Sequence, residues 1–169
     1  MGRRMNEHSQ AGGATRADLR PLHGDWQGQT RLYAGHAEER EHVSSAWLRC
    51  VAAGGAERLR IRYVWTFEDR IREGHLLIAL HPASRSASAA WMDSGLGGDV
   101  GGDEVLALRG WLDESGLLRL SGSASDAQGA NWTWRLELDL PEPGELELRL
   151  YTTTPKGEEE LAAVSRYRR

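Results

Sequence analysis

The sequence predicts an all-β fold, a single up-and-down antiparallel β-barrel of about ten strands. Short segments in which apolar and polar residues alternate recur roughly every 10 to 15 residues, which is the spacing typical of an all-β protein. Turn-like segments rather than helices separate them, so consecutive strands are expected to pair as hairpins. Closing this meander into a barrel removes the exposed sheet edges and leaves room inside for a small ligand.

A short helical turn is expected before the first strand, in the segment TRADLRPL. Thr15 is a suitable N-cap for it, and Pro21 would end the turn or lie at its edge. Residues 1–14 are rich in Gly, Ser, Gln and Arg and are predicted to form a disordered tail. A single barrel domain is therefore predicted over residues 15–169.

The first half of the barrel is predicted from five segments, of which ERLRIRYVWTFE alternates most clearly. Tyr63 and Trp65 lie among aliphatic residues on one face of this strand, and arginines occupy the other face. The arginine face is expected to be solvated outer surface, since the chain as a whole is acidic. The predicted strands of this half are 25–34, 41–52, 57–68, 71–81 and 86–94.

The second half closes the barrel, and its clearest strand is NWTWRLELDL. Trp132, Trp134 and three leucines fall on every second position, which predicts one dry face and one wet face. PEPG follows as a Pro-Gly turn into the next strand. The predicted strands of this half are 104–112, 117–124, 131–140, 145–154 and 158–169.

Charge and cysteine content exclude several classes of protein. The formal net charge is −4, whereas a nucleic-acid binder needs a basic surface. Cys50 is the one cysteine, so neither an internal disulfide nor a cysteine-cluster metal site can form. The N-terminus has no apolar core typical of a secretory signal, and no apolar run approaches the roughly 20 residues of a membrane span. A cytoplasmic protein is expected.

The aromatic residues point to a ligand-binding lumen. The chain has seven tryptophans but one phenylalanine, and tryptophan combines a large apolar body with an N–H that needs a partner when buried. Such residues suit the wall of a partly polar cavity better than an ordinary core. The candidate ligand-binding residues are Trp26, Tyr63, Trp65, Trp91, Arg109, Trp132 and Trp134.

Arg109 is the candidate for the polar end of a ligand. It shares a strand face with Val105, Ala107 and Trp111, and if that face points inward, Arg109 is a buried cation that needs an anionic partner. The opposite face, with Leu106 and Leu108, is also apolar. Both orientations of this strand therefore stay open.

Three motifs carry a resemblance to known families. The Gly-x-Trp-x-Gly pattern in LHGDWQGQTRLY resembles the start of calycin-type barrels such as lipocalins, fatty-acid-binding proteins and nitrobindins. A longer part of the chain is similar to a family of small bacterial proteins known as domain of unknown function 1579. This resemblance implies a lipocalin-like barrel and no particular reaction. The matching residues are Leu22 to Gly28, Gly74-His75 and Trp91-Met92-Asp93-Ser94.

No cofactor and no metal are expected. Nitrobindin-like proteins bind haem through a histidine close to the C-terminus, whereas the last histidine here is His81. His75 and His81 would lie roughly 20 Å apart along one strand, too far to share a metal ion. A zinc site would need other histidines to converge.

The glycine-rich segment DSGLGGDVGGDE (93–104) lacks the ending of a phosphate-binding loop and the spacing of an EF-hand. A mobile loop over the mouth of the barrel is expected there.

Three functions remain open. The first is binding of a small apolar or amphipathic molecule in the lumen, with Arg109 or Tyr63 fixing its polar end. The second is an isomerase or cyclase on the same scaffold, with Asp93 or His75 as acid or base. The third is a filled barrel with a structural or interaction role, forming a homodimer through an exposed strand face.

Overall fold

A computed structural model describes residues 17–33, 41–94, 105–126 and 128–169, and within them the chain forms a closed barrel of ten antiparallel strands. The predicted fold class is therefore confirmed. The strands are β1 (Gly24–Tyr33), β2 (Glu41–Ala52), β3 (Arg58–Phe67), β4 (Arg70–Leu80), β5 (Ser86–Asp93), β6 (Leu106–Leu112), β7 (Leu118–Ser125), β8 (Asn131–Asp139), β9 (Glu145–Thr153) and β10 (Glu159–Arg168).

The strands follow one another around the barrel in chain order, and β1 pairs with β10 to close it. Gly28 allows this closure, because a Cβ at that position would lie 1.8 Å from the carbonyl oxygen of Arg166 on β10. A side chain at residue 28 would thus push the two strands apart. This close approach of two backbones explains the second glycine of the Gly-x-Trp-x-Gly motif.

The helical turn before β1 is a 3-10 turn, Arg20–Leu22, with Pro21 inside it rather than at its end. Thr15 and the tail predicted over 1–14 lie outside the described residues. Leu19 and Leu22 of this segment join the core at the end of the barrel where β1 begins, which we call the closed end.

The half of the barrel next to the closed end has an aliphatic interior. Its inward-facing side chains are almost fully buried, and burial of this kind stabilises a fold by about 25 cal/mol per Å² of apolar surface. Trp26 belongs to this half: it is 1% exposed, and its indole N–H donates to the carbonyl oxygen of Leu22 at 3.0 Å. Fully buried aliphatic side chains of this interior include Leu48, Leu59, Ile61, Ile78, Leu118 and Leu138.

The outer surface carries most of the charge. Arg58, Arg60 and Arg62 are exposed, as the alternation in β3 predicts. On β8 and β9 two carboxylates, Glu137 and Glu147, are buried on the outer side beneath arginines of neighbouring strands. None of the helical segments in the described ranges is long and apolar enough to cross a membrane.

Candidate functional site: the open half of the barrel

The end of the barrel opposite the closed end, called here the open end, has a different interior. Several of its inward-facing side chains are part-exposed although they point into a closed barrel. Leu150 is one of them, and it lies three residues before the end of β9. This part of the lumen is the candidate site, and we call it the open half. Its part-exposed inward residues include Leu32, His42, Phe67, Arg72, Asp93, Trp132, Leu150 and Thr152.

A hydrogen-bonded group of three side chains lies between the aliphatic interior and the open half. The Tyr63 hydroxyl accepts a hydrogen bond from the indole N–H of Trp91 at 2.9 Å and donates one to the carboxylate of Asp93. Burial, followed by the charge of Asp93, raises the pKa of Tyr63 well above its usual value. Tyr63 is therefore a neutral donor at physiological pH.

Gly74 makes this arrangement possible. It is the cross-strand partner of both Tyr63 and Asp93, and a Cβ at residue 74 would lie 2.0 Å from Cζ of the Tyr63 ring. The phenol thus crosses β4 over the glycine to reach β5. The Gly-His and Trp-x-Asp-Ser motifs, which lie on different strands, meet here around one tyrosine.

A second buried hydroxyl group lies on the opposite wall. Thr30 on β1 and Ser165 on β10 share a hydrogen bond of 2.6 Å between their hydroxyls, and both interact with the Tyr167 hydroxyl. Burial raises the pKa of Tyr167 to about 12, and the charge of Asp93 contributes to the same shift. Both tyrosines therefore lie close enough to Asp93 to feel its charge, and together they make a polar floor to the open half.

Tryptophans form much of the wall above this floor. Trp132 and Trp134 face inward from β8, and Trp65 and Phe67 face inward from β3 with ring centroids 6.4 Å apart. The indole N–H of Trp132 donates to the carboxylate of Asp126 at 3.1 Å, which fixes that ring near the open end. The alternation in the sequence predicts that these residues share a face, and the structure turns that face inward.

The wall is incomplete between β2 and β3 at the open end. The two strands pair as far as Trp47 and Val64. Nearer the opening, in the part of the chain that the structure describes, side chains of β2 contact the β3 backbone instead. The Thr66 amide donates to the Ser44 hydroxyl at 3.3 Å, and His42 Nε2 lies 3.2 Å from the Thr66 carbonyl oxygen. We call this region the seam.

Arg72 is a lumen residue that the sequence interpretation missed. It shares the inward face of β4 with Gly74, Leu76 and Ile78, and its cross-strand partner is Trp65. Alternation from the buried Leu76 and Ile78 is a signal that could have placed it inside. The neighbouring Ile71, in contrast, points outward and is 73% exposed.

Three predicted site residues lie elsewhere. Arg109 is on the outer face of β6, beside the 53%-exposed Trp111. Leu106 and Leu108 take the inward positions of this strand. The prediction that Arg109 fixes a ligand in the lumen is therefore wrong. His75 is also outside, 2.7 Å from a carboxylate oxygen of Glu73, so it cannot act on a molecule in the lumen. Trp26 faces inward but is buried in the closed half.

No group of three or more His, Cys, Asp or Glu residues that could hold a metal ion is found within 17–33, 41–94, 105–126 and 128–169. Burial raises the pKa of Cys50 to about 12, so its thiol is not a nucleophile at neutral pH. The mobile loop predicted for 93–104 falls, from residue 95 onward, outside the described residues.

Comparison with known proteins adds a family and no activity. A family model described as "Protein of unknown function (DUF1579)" matches residues 12–169. No curated protein matches the chain.

Proposed function

We propose, from the premise that this chain belongs to the DUF1579 family of proteins of unknown function, that it binds a small amphipathic molecule in the open half of its barrel. The family description gives no reaction, so the proposal depends on the site. Aromatic rings supply apolar walls, and a few buried hydroxyl and charged groups supply fixed polar contacts. That combination is typical of small-molecule sites.

The observation that carries the proposal is the contrast between the two halves of one lumen. Aliphatic residues fill the closed half, where Leu48, Leu59 and Ile61 are 0% exposed. In the open half Trp132, Leu150 and Thr152 also point inward but keep part of their surface accessible. A barrel with a purely structural role would gain stability by filling both halves alike.

Two adjacent threonines of β9 provide the test. Thr152 faces the lumen as the partner of Trp134, and Thr153 faces outward as the partner of Thr133. Thr152→Trp would fill the open half, whereas Thr153→Trp adds the same side chain to the outer surface. We would measure binding of the fluorescent amphiphile 8-anilinonaphthalene-1-sulfonate to the wild type and to both variants.

Native and denaturing mass spectrometry of the purified wild type would show whether a molecule is carried from the cell.

We expect Thr152→Trp to weaken binding of the probe by about tenfold or more, and Thr153→Trp to leave it unchanged. Equal binding to all three proteins would overturn the proposal. So would a wild type that neither retains a molecule nor binds the probe.

A second candidate function, a small-molecule isomerase or cyclase, is favoured by the position of Asp93. Its carboxylate faces the lumen and is held by the neutral Tyr63 hydroxyl, which suits a general base with a fixed orientation. An enzyme of this kind would release different isomers from the wild type and from Asp93→Asn. A carrier would release the same isomer from both proteins. Chromatography of the extracted molecule would distinguish these two outcomes.

A further inference from the structure

We propose that the molecule bound in the open half carries an anionic head group, such as a carboxylate, and that Arg72 binds this group. This inference rests on the proposed function and names the chemistry of its ligand. It assigns to Arg72 the role that the sequence suggested for Arg109.

Arg72 is positioned to meet a ligand in the lumen. Its strand neighbours on the same face, Gly74 and Leu76, are buried, and Trp65 is its partner on β3. It lies one inward position nearer the opening than Gly74, over which the Tyr63 ring crosses. The guanidinium therefore lies above the polar floor, on the wall formed by β3, β4 and β5.

The guanidinium has unused hydrogen-bonding capacity. Its Nη1 donates to the carbonyl oxygen of Ser94 at 3.1 Å, while Nε is buried and has no partner. Leaving a buried donor without a partner costs about 1–3 kcal/mol, so such a site favours a ligand that supplies an acceptor. A carboxylate is the natural one, because it accepts two parallel N–H bonds from Nε and the adjacent Nη.

The carboxylate next to Arg72 in sequence is directed away from it. Glu73 follows it in sequence but points outward, where it is paired with Arg62 and His75. No ion pair involves Arg72 in the part of the chain that the structure describes, although the outward arginines Arg49 and Arg62 are both paired. Because its buried Nε also lacks a hydrogen-bond partner, the Arg72 guanidinium is suited to bind an anionic group.

Asp93 is the competing determinant of head-group charge. Its carboxylate also faces the lumen, but it accepts a hydrogen bond from the Tyr63 hydroxyl, further from the opening than Arg72. An anion bound at Arg72 would lie nearer the opening than the Asp93 carboxylate. The apolar body of the ligand would lie against Trp65, Trp132 and Trp134. A cationic head group would instead be drawn to Asp93.

Three amphiphiles of equal chain length separate these possibilities: decanoate, decanol and decylamine. Their dissociation constants would be measured by calorimetry at pH 7.4 for the wild type, Arg72→Gln, Arg72→Lys and Arg109→Gln. Arg109→Gln is the matched control, since it removes the same charge from the outer surface. Circular dichroism would establish that each variant is folded. If Arg72→Gln does not fold, Arg72→Lys, which retains the positive charge, still tests the contribution of the guanidinium.

We expect the wild type and Arg109→Gln to bind decanoate about tenfold more tightly than decanol. Arg72→Gln should bind the two equally, and Arg72→Lys should lie between, because a lysine keeps the charge but loses the planar pair of donors. Equal binding of decanoate and decanol to the wild type would overturn the anionic head group while leaving the proposed binding function in place. Preference for decylamine would overturn it in favour of Asp93, and failure of all three to bind would contradict both proposals.

Discussion

The phenol ring of Tyr63 lies directly over Gly74, its partner on the neighbouring strand, so closely that a Cβ at residue 74 would lie 2.2 Å from the Tyr63 hydroxyl oxygen. The glycine is what lets the hydroxyl reach across β4 to Asp93 and Trp91 on β5. One missing side chain thus decides where a buried polar group of the lumen is placed.

Gly74→Ala should destabilise the protein by about 1–3 kcal/mol, because the added methyl forces the ring away from both hydrogen-bond partners. Urea unfolding would measure the change. In a Tyr63→Leu background the same substitution should cost less, since the ring that it would meet is gone. Equal costs in the two backgrounds would contradict the packing explanation.

Stability should fall as the pH rises above 10. Burial raises the pKa of Tyr167 to about 12, above the unfolded value of about 10, so the folded state holds its proton more tightly. This contribution is complete below pH 10 and is lost between about pH 10 and 12, at up to about 1.4 kcal/mol per pH unit.

Free energies of unfolding measured from pH 9 to pH 12 would show this loss, and Tyr167→Phe should make it shallower. Tyr63, whose pKa is also raised, keeps part of the slope in that variant. A pH dependence identical in wild type and Tyr167→Phe would contradict the assignment to Tyr167.

Glu137→Gln should cost about 1–3 kcal/mol, because the buried carboxylate of Glu137 joins three arginines on the outer face. The substitution would leave the positive charges of Arg119, Arg135 and Arg149 without the negative charge that they share. Glu145→Gln is the control, since its ion pair with Arg168 is exposed and should be worth at most about 1 kcal/mol. Chemical denaturation compares them, and equal effects would show that burial of Glu137 adds nothing.

Ser44→Ala should loosen the seam between β2 and β3. The Thr66 amide donates to the Ser44 hydroxyl, so its hydrogen exchange should become about tenfold faster when the hydroxyl is removed. Ser45→Ala, on the outer face of the same strand, should leave that amide unchanged. Exchange measured by NMR tests this, and an equal response to both variants would rule out the side-chain bridge.

Alternation predicted most of the inner wall because the strands concerned have one apolar and one polar face. In β3 and β8, apart from Val64, the residues that alternate with inward Tyr63, Trp65 and Trp134 are charged or carry a hydroxyl or amide group, so a single orientation buries the apolar set. In β6 both faces are apolar, and this criterion fails. The position of Arg109 opposite Ser88 and Ser121 on the outer face emerges only when neighbouring strands are in place.

Arg72 illustrates a different limit. Its segment, IREG, pairs an isoleucine with an arginine, and hydrophobicity alone would turn the isoleucine inward. The structure does the reverse, because register is set by Leu76, Ile78 and Leu80 further along the strand, whose burial outweighs one exposed isoleucine.

The sequence by itself determined the ten strands, their antiparallel order and the face that carries the tandem indoles, since these follow from local alternation and turn residues. The tertiary structure alone decided which half of the lumen is filled, how Tyr63 crosses Gly74 to Asp93, and which arginine enters the barrel. Those features depend on side chains from strands distant in sequence that meet only when β1 closes on β10.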